Sequence, residues 1–155
     1  MSKRKKSIEE FFISYEDQFN TAIVSERIDE DQIRKSYADC FIGSSHVGVQ
    51  CGKNDDKFFQ EIQQRFDFYK SIGSKGMNIV SKEITLLDDF HALVKVYWRH
   101  SYEKEQRSGA IDFDVFYLVS TASDEIKIIA FLVGDEQRAL KEAGLTQEAE
   151  PVLSN

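Results

Sequence analysis

The chain has 155 residues, is 41% hydrophobic and 12% aromatic, and carries a formal net charge of −7. That length suits one domain, in which roughly 68–70% of the unfolded surface becomes buried. The acidic balance argues against nucleic acid binding, which usually needs a basic face, and no apolar run approaches the ~20 residues that cross a membrane.

The only basic cluster is Lys3-Arg4-Lys5-Lys6. It reads as a flexible, solvated tail over residues 1–6; nuclear targeting or an anionic surface is the sharper alternative. Ser7-Ile8-Glu9-Glu10 follows in place of an apolar segment, so no signal peptide is expected and the cytoplasm is the expected location. Cys40 and Cys51 have no metal spacing and read as buried or free thiols.

Ser7-x-x-Glu10 has the form of a capping box. After it, Ile8, Phe11, Phe12, Tyr15, Phe19, Ala22 and Ile23 step by three and four, which predicts a helix of about twenty residues with one apolar stripe. Asp29, Glu30 and Asp31 mark a second start. Ile33, Tyr37, Cys40 and Phe41 would then line a short second helix that stops at Gly43. On that face Cys40 reads as packing, not as a nucleophile. Residues 46–50 predict a short strand, with Val47, Val49 and Cys51 on one side and His46 on the surface. Asn54 or Asp55 can cap a third helix, whose stripe is Phe58, Phe59, Ile62, Phe66 and Tyr69.

From there the period falls to two. Residues 78–87, 91–103, 111–121 and 125–134 predict four strands with short separators, hence antiparallel neighbours. Residues 135–143 add a last turn of helix, and 145–155 read as a flexible tail. The whole is one α+β domain over residues 7–144, with helices on one face of an antiparallel sheet.

Phe68-Tyr69-Lys70-Ser71-Ile72-Gly73, the run Leu86 to Trp98, Phe113-x-x-x-Tyr117-x-Val119 and Ile126 to Phe131 carry a resemblance to the nuclear transport factor 2-like superfamily (SnoaL-like, cystatin-like), in particular to uncharacterised bacterial members. The resemblance spans about residues 7–135. It implies a cone-like fold in which a curved antiparallel sheet wraps around three N-terminal helices and encloses a pocket. A ketosteroid isomerase-like member would hold a carboxylate near the first short strand, and nothing acidic lies between Asp39 and Asp55. A limonene epoxide hydrolase-like member would carry Arg-x-Asp, and Arg99-His100-Ser101 has serine at the acid's place. A dehydratase- or cyclase-like member needs an Asp/His pair, which His100 with Asp112 or Asp114 could supply. Such an enzyme would be a cofactor-independent lyase or isomerase of acid–base type.

Alternation puts Ala92, Val94, Val96, Trp98, His100 and Tyr102 on one strand face, and Phe113, Val115, Tyr117 and Val119 on the facing side of the next. These sets should point at the helices. That turns Asp112 and Asp114 outward unless a bulge inverts them. The expected pocket is Tyr15, Trp98, His100 and Tyr117, suited to a small apolar or aromatic ligand. No cofactor is implied, and scattered His46, His91 and His100 make no metal site. On the other face, Leu93, Tyr97, Phe116, Leu118, Ile129, Phe131 and Val133 would form an apolar patch covered by a second copy in an isologous dimer. Three functions stay open: a small-molecule-binding homodimer, a dehydratase- or cyclase-like enzyme, and a protein-interaction or assembly module without a functional pocket.

Overall fold

The computed structural model describes residues 2–25 and 27–145. Helix α1 runs from Lys3 to Ser25 and buries Ile8, Phe12, Tyr15 and Ala22. It starts one turn before the expected capping box. The Ser2 hydroxyl accepts from the Lys5 amide at 3.1 Å, as an N-cap does, and Arg4 donates to the His91 carbonyl at 3.2 Å. Lys3–Lys6 are therefore the first turn of a docked helix and not a flexible tail. The expected C-terminal tail lies outside the described residues beyond Leu145, which is itself buried.

Helix α2 is only Glu30–Lys35, capped by the Asp29 side chain. Strand β1 (Tyr37–Ser45) follows, then β2 (Gly48–Lys53), α3 (Asp56–Ser71), β3 (Ser74–Leu86), β4 (His91–Lys104), β5 (Arg107–Ser120), β6 (Lys127–Val133) and α4 (Glu136–Glu142). The longer second helix expected through Phe41 is replaced by β1. Tyr37 and Phe41 are four apart, a spacing that one helix face and one strand face both satisfy. Pairing decides between them: Tyr37 lies opposite Ile128 of β6, and Asn54 donates to the Arg34 and Tyr37 carbonyls at 2.7 and 3.1 Å. Cys40 consequently sits on the outer side of a strand, and it and Cys51 are exposed free thiols. His46 and Val47 form the turn before Gly48 (φ 126°), not the start of a strand.

The six strands form one sheet in the order β2-β1-β6-β5-β4-β3. β3 to β6 are an antiparallel meander as expected; β1 joins β6 in parallel. The sheet curves around the helices. β3 is an edge strand, and α1 satisfies part of that edge. Asn20 donates to the Met77 carbonyl at 2.8 Å and accepts from its amide at 2.9 Å, while the Glu16 carboxylate accepts from the Ile79 amide. At Met77 and Ile79 the edge is thereby closed to pairing with another chain.

The inward faces are those the alternation predicts: Val94, Val96 and Trp98 on β4 and Phe113, Val115, Tyr117 and Val119 on β5 are buried against Phe12, Tyr15 and Phe58. A smaller cluster of Tyr69, Ile72, Ile111, Leu140 and Leu145 lies beneath α4. One register shift alters the outer patch. Between β5 and β6 the pairing slips at Leu118/Val119, so Phe131 turns inward to 5% exposure and Val133 joins the core. Those two residues leave the expected outer patch, and Leu132, 47% exposed, takes their place. A bulge of this kind reverses every side chain beyond it.

Candidate functional site

Inside the cone is a cavity of about 60 Å³ lined by Tyr15, Tyr37, Arg65, Trp98, Phe113 and Tyr117, among others. They come from five elements. Tyr15 comes from the α1 stripe, Tyr37 opens β1, Arg65 is on α3, and Trp98, Phe113 and Tyr117 come from the inward faces of β4 and β5. The polar atoms converge. The Tyr15 and Tyr37 hydroxyls lie 2.5 Å apart, and the Trp98 indole N–H donates to the Tyr117 hydroxyl at 3.2 Å. Tyr15 and Tyr117 pack edge-on with centroids 5.7 Å apart, an arrangement aromatic quadrupoles favour, and Phe19 and Trp98 pack tilted at 5.3 Å. Burial raises the hydroxyl pKa of Tyr15, Tyr37 and Tyr117 above the ordinary value. All three are neutral hydroxyls that can donate as well as accept.

Of the expected pocket, Tyr15, Trp98 and Tyr117 line this cavity. His100 does not. It is buried, 1% exposed, but belongs to a neighbouring polar cluster, with its ring edge-on to Tyr69 at 4.7 Å. The expected partners are elsewhere. Asp112 takes a two-pronged bond from Arg99 at 2.8 and 3.0 Å on the outer face, and Asp114 faces Lys95 at 3.7 Å. No bulge inverts them: β4 and β5 pair without a slip from His91 to Lys104. The pairing of His100 with Asp112 or Asp114 is therefore not made, and the dehydratase- or cyclase-like mechanism loses its acid.

The carboxylate that does face His100 is Glu136, from the first turn of α4. Its Oε2 is 3.6 Å from His100 Nδ1 and accepts from the Tyr69 hydroxyl at 2.9 Å. Its Oε1 accepts from Arg65 Nη2 at 3.1 Å, and Arg65 Nε donates to the Tyr69 hydroxyl at 3.0 Å. Burial pushes the Glu136 carboxyl up, but the His100 imidazole, the Arg65 guanidinium and the Tyr69 hydroxyl together hold it below the usual glutamate range. It is an ionised acid in a dry interior, tolerable only because it is paired and hydrogen-bonded. Arg65 belongs to both groups, lining the cavity and anchoring Glu136.

Tyr37, Arg65 and Glu136 are the residues sequence reasoning missed. Tyr37 falls at a spacing that also fits a helix face. Arg65 sits beside the α3 stripe and looks like an ordinary solvated arginine. Glu136 looks like any first-turn acid, and no local pattern marks it as buried. Among the described residues, no group of three or more His, Cys, Asp or Glu side chains could hold a metal ion, and no helix is long and apolar enough to cross a membrane.

Residues 4–136 match the model of the family described as NTF2-like protein (DUF6841). Among solved structures, similar chains include an NTF2-like protein with a cystatin-like fold from Novosphingobium aromaticivorans, at TM-score 0.66 and 7% identity, covering 92% of this chain and 88% of that one. A ketosteroid isomerase-like protein from Erwinia carotovora atroseptica is similar at TM-score 0.61 and 14% identity, covering 86% and 97%. The β subunit of the benzoate 1,2-dioxygenase from Burkholderia mallei is similar at TM-score 0.57 and 14% identity, covering 82% and 87%. No curated protein matches the sequence. At these identities the likeness concerns the fold alone.

Proposed function

Because the chain belongs to the NTF2-like family DUF6841, whose fold neighbours range from a ketosteroid isomerase-like protein to a dioxygenase subunit, we propose that it is a small-molecule-binding domain acting as a homodimer through its sheet. The observation that carries the first half is the cavity lined by Tyr15, Tyr37, Tyr117 and Arg65. An apolar hollow with a few convergent polar groups is the usual form of a ligand site. The donors suit a compact molecule with one oxygen acceptor, such as a phenol or a short carboxylic acid. At about 60 Å³ the space is well below the roughly 150 Å³ that admits benzene. A ring-sized ligand therefore requires Phe19 and Phe66, both only partly buried, to swing aside.

Trp98 is the only tryptophan and it lines the cavity, so its emission reports occupancy directly. Titration with phenol, benzoate and short carboxylic acids is expected to give a saturable change in that emission. Tyr117→Phe is expected to weaken the binding about tenfold, the value of one hydrogen bond. Absence of any change up to millimolar concentration across those three classes would remove the ligand proposal.

The smallness of the cavity also favours a second possibility, an assembly module whose interior is only core. Both possibilities share the dimer. Its support is the outer face of the sheet, where Ile42 and Leu132 are 45% and 47% exposed beside the half-buried Leu93, Tyr97, Phe116 and Leu118. Lys95 lies over the Tyr97 and Phe116 rings; exposed apolar side chains grouped around such a point commonly mark an interface, and a two-fold pairing covers them with themselves. Light scattering at micromolar concentration is expected to give the mass of two chains, and Leu132→Glu the mass of one. A wild-type monomer would end the dimer proposal without touching the ligand one.

A further inference from the structure

On the far side of His100 from Glu136 lies Ser74, the first residue of β3. Its hydroxyl is 2.5 Å from His100 Nε2. The imidazole thus stands between a serine oxygen on Nε2 and a carboxylate on Nδ1. Nδ1 has no hydrogen-bond partner, and Glu136 Oε2 at 3.6 Å is the acceptor its proton would meet. Hydroxyl, imidazole and carboxylate in that order, through those two ring nitrogens, form the arrangement by which a serine is made nucleophilic. Contacts in such sites are commonly loose without substrate and tighten on binding.

Accessibility differs along the row as that chemistry needs. Glu136 and His100 are each 1% exposed, whereas Ser74 is half-buried. It lines a groove of about 520 Å³ with Ile23, Ile28, Phe66, Lys70 and Lys75, a volume typical of small-molecule sites. The left-handed Gly73 (φ 80°) that ends α3 sets up this corner; a Cβ there would collide with the Glu103 carbonyl. The β3–β4 register then slips between Ser74 and Gly76, so Lys75 falls out of the regular pairing directly after the serine.

We propose that Ser74, His100 and Glu136 form an acyl-transfer site separate from the aromatic cavity, acting on carboxylic esters with an apolar acyl group and a nearby anionic group. The apolar part would lie along Ile23, Ile28 and Phe66, and the anion near Lys75, away from the Asp67 carboxylate that lines the same groove. Ser74 Oγ attacks the ester carbonyl carbon while its proton passes to His100 Nε2. The tetrahedral oxyanion is held by the Lys75 amide, the donor next along the chain. The carbon–oxygen bond to the alcohol breaks, and the departing alkoxide takes the proton from His100. Water then attacks the acyl–serine, giving a proton to His100. The acyl–Oγ bond breaks and Ser74 recovers the proton. Ser74 and His100 are catalytic residues here; Glu136 positions the imidazole and is itself fixed by Arg65 and Tyr69.

The test is labelling of the intact chain with a fluorophosphonate, followed by mass spectrometry and peptide mapping, beside hydrolysis of p-nitrophenyl butyrate and of a p-nitrophenyl ester with a carboxylate on its acyl chain. One phosphonyl adduct at Ser74 is expected, with faster turnover of the carboxylate ester. Ser74→Ala is expected to lose the adduct and at least 100-fold of the turnover, with Trp98 emission unchanged as the sign that it is folded. Ser108→Ala, an exposed serine on β5, is expected to keep both. Absence of an adduct at Ser74 in the wild type, or turnover undiminished in a folded Ser74→Ala, overturns the proposal. Neither result bears on ligand binding beside Trp98, which the emission titration measures separately.

Discussion

Glu136→Ala is expected to lower stability by about 3–5 kcal/mol, the cost of leaving a buried charge without its partner. For a domain of this size that corresponds to a fall in Tm of roughly 6–20 °C. The cost arises on α3 more than at position 136, because Arg65 loses its carboxylate contact at 3.1 Å and the Tyr69 hydroxyl loses its acceptor. The double variant Arg65→Met/Glu136→Leu removes both charges and fills the space with apolar volume. It is expected to recover most of the loss, as apolar replacement of buried ion pairs commonly does. Thermal unfolding of the two variants beside wild type decides the matter; equal losses in both would mean that the charge contributes nothing and the packing everything. The pH dependence has a definite sign. The folded Glu136 carboxyl lies below its ordinary value of 4.5, so its contribution is present above that pH and is lost as pH falls toward the lower folded value. Glu136→Gln is expected to flatten that part of the acid limb.

Trp98→Ala is expected to cost a similar amount, about 3–5 kcal/mol, by the rule for large core aromatics. The indole is 1% exposed, touches the rings of Tyr15 and Phe19 and donates to Tyr117. Removing it merges its own volume with the existing cavity and leaves the Tyr117 hydroxyl short of a donor. The enlarged space is then wide enough for an added ring, so millimolar indole is expected to raise the Tm of Trp98→Ala and not that of wild type. A loss below about 1 kcal/mol would mean that the surrounding rings collapse into the gap, and the cavity would then be no preformed site.

The four strands of the meander and the first and third helices were legible because their periods persist. Ala92 to Trp98 alternates for seven positions, enough to identify the inward face, and the structure keeps it. The stretch after Asp29 was illegible because helix and strand share the four-residue spacing of Tyr37 and Phe41, and the deciding partner, Ile128, lies in the last strand. The same limit applies to the site. Outward-facing Asp112 and Asp114 followed from alternation alone. Glu136 could not, since its burial depends on Arg65, Tyr69 and His100 meeting from two other elements. Phe131 and Val133 were placed on the wrong face by a single bulge that no residue type announces.

The position of β1 has a kinetic consequence. Its outer neighbour, β2, is a local hairpin partner, but its inner neighbour is β6, with Ile42 beside Ala130. A chain emerging from a ribosome cannot dock its first hairpin until the meander is nearly complete. Pairings between such distant segments slow the search for the native state. The hairpin with its exposed Val49 and Cys51 therefore waits longest, and in that interval it is the segment most open to chaperones and to premature association.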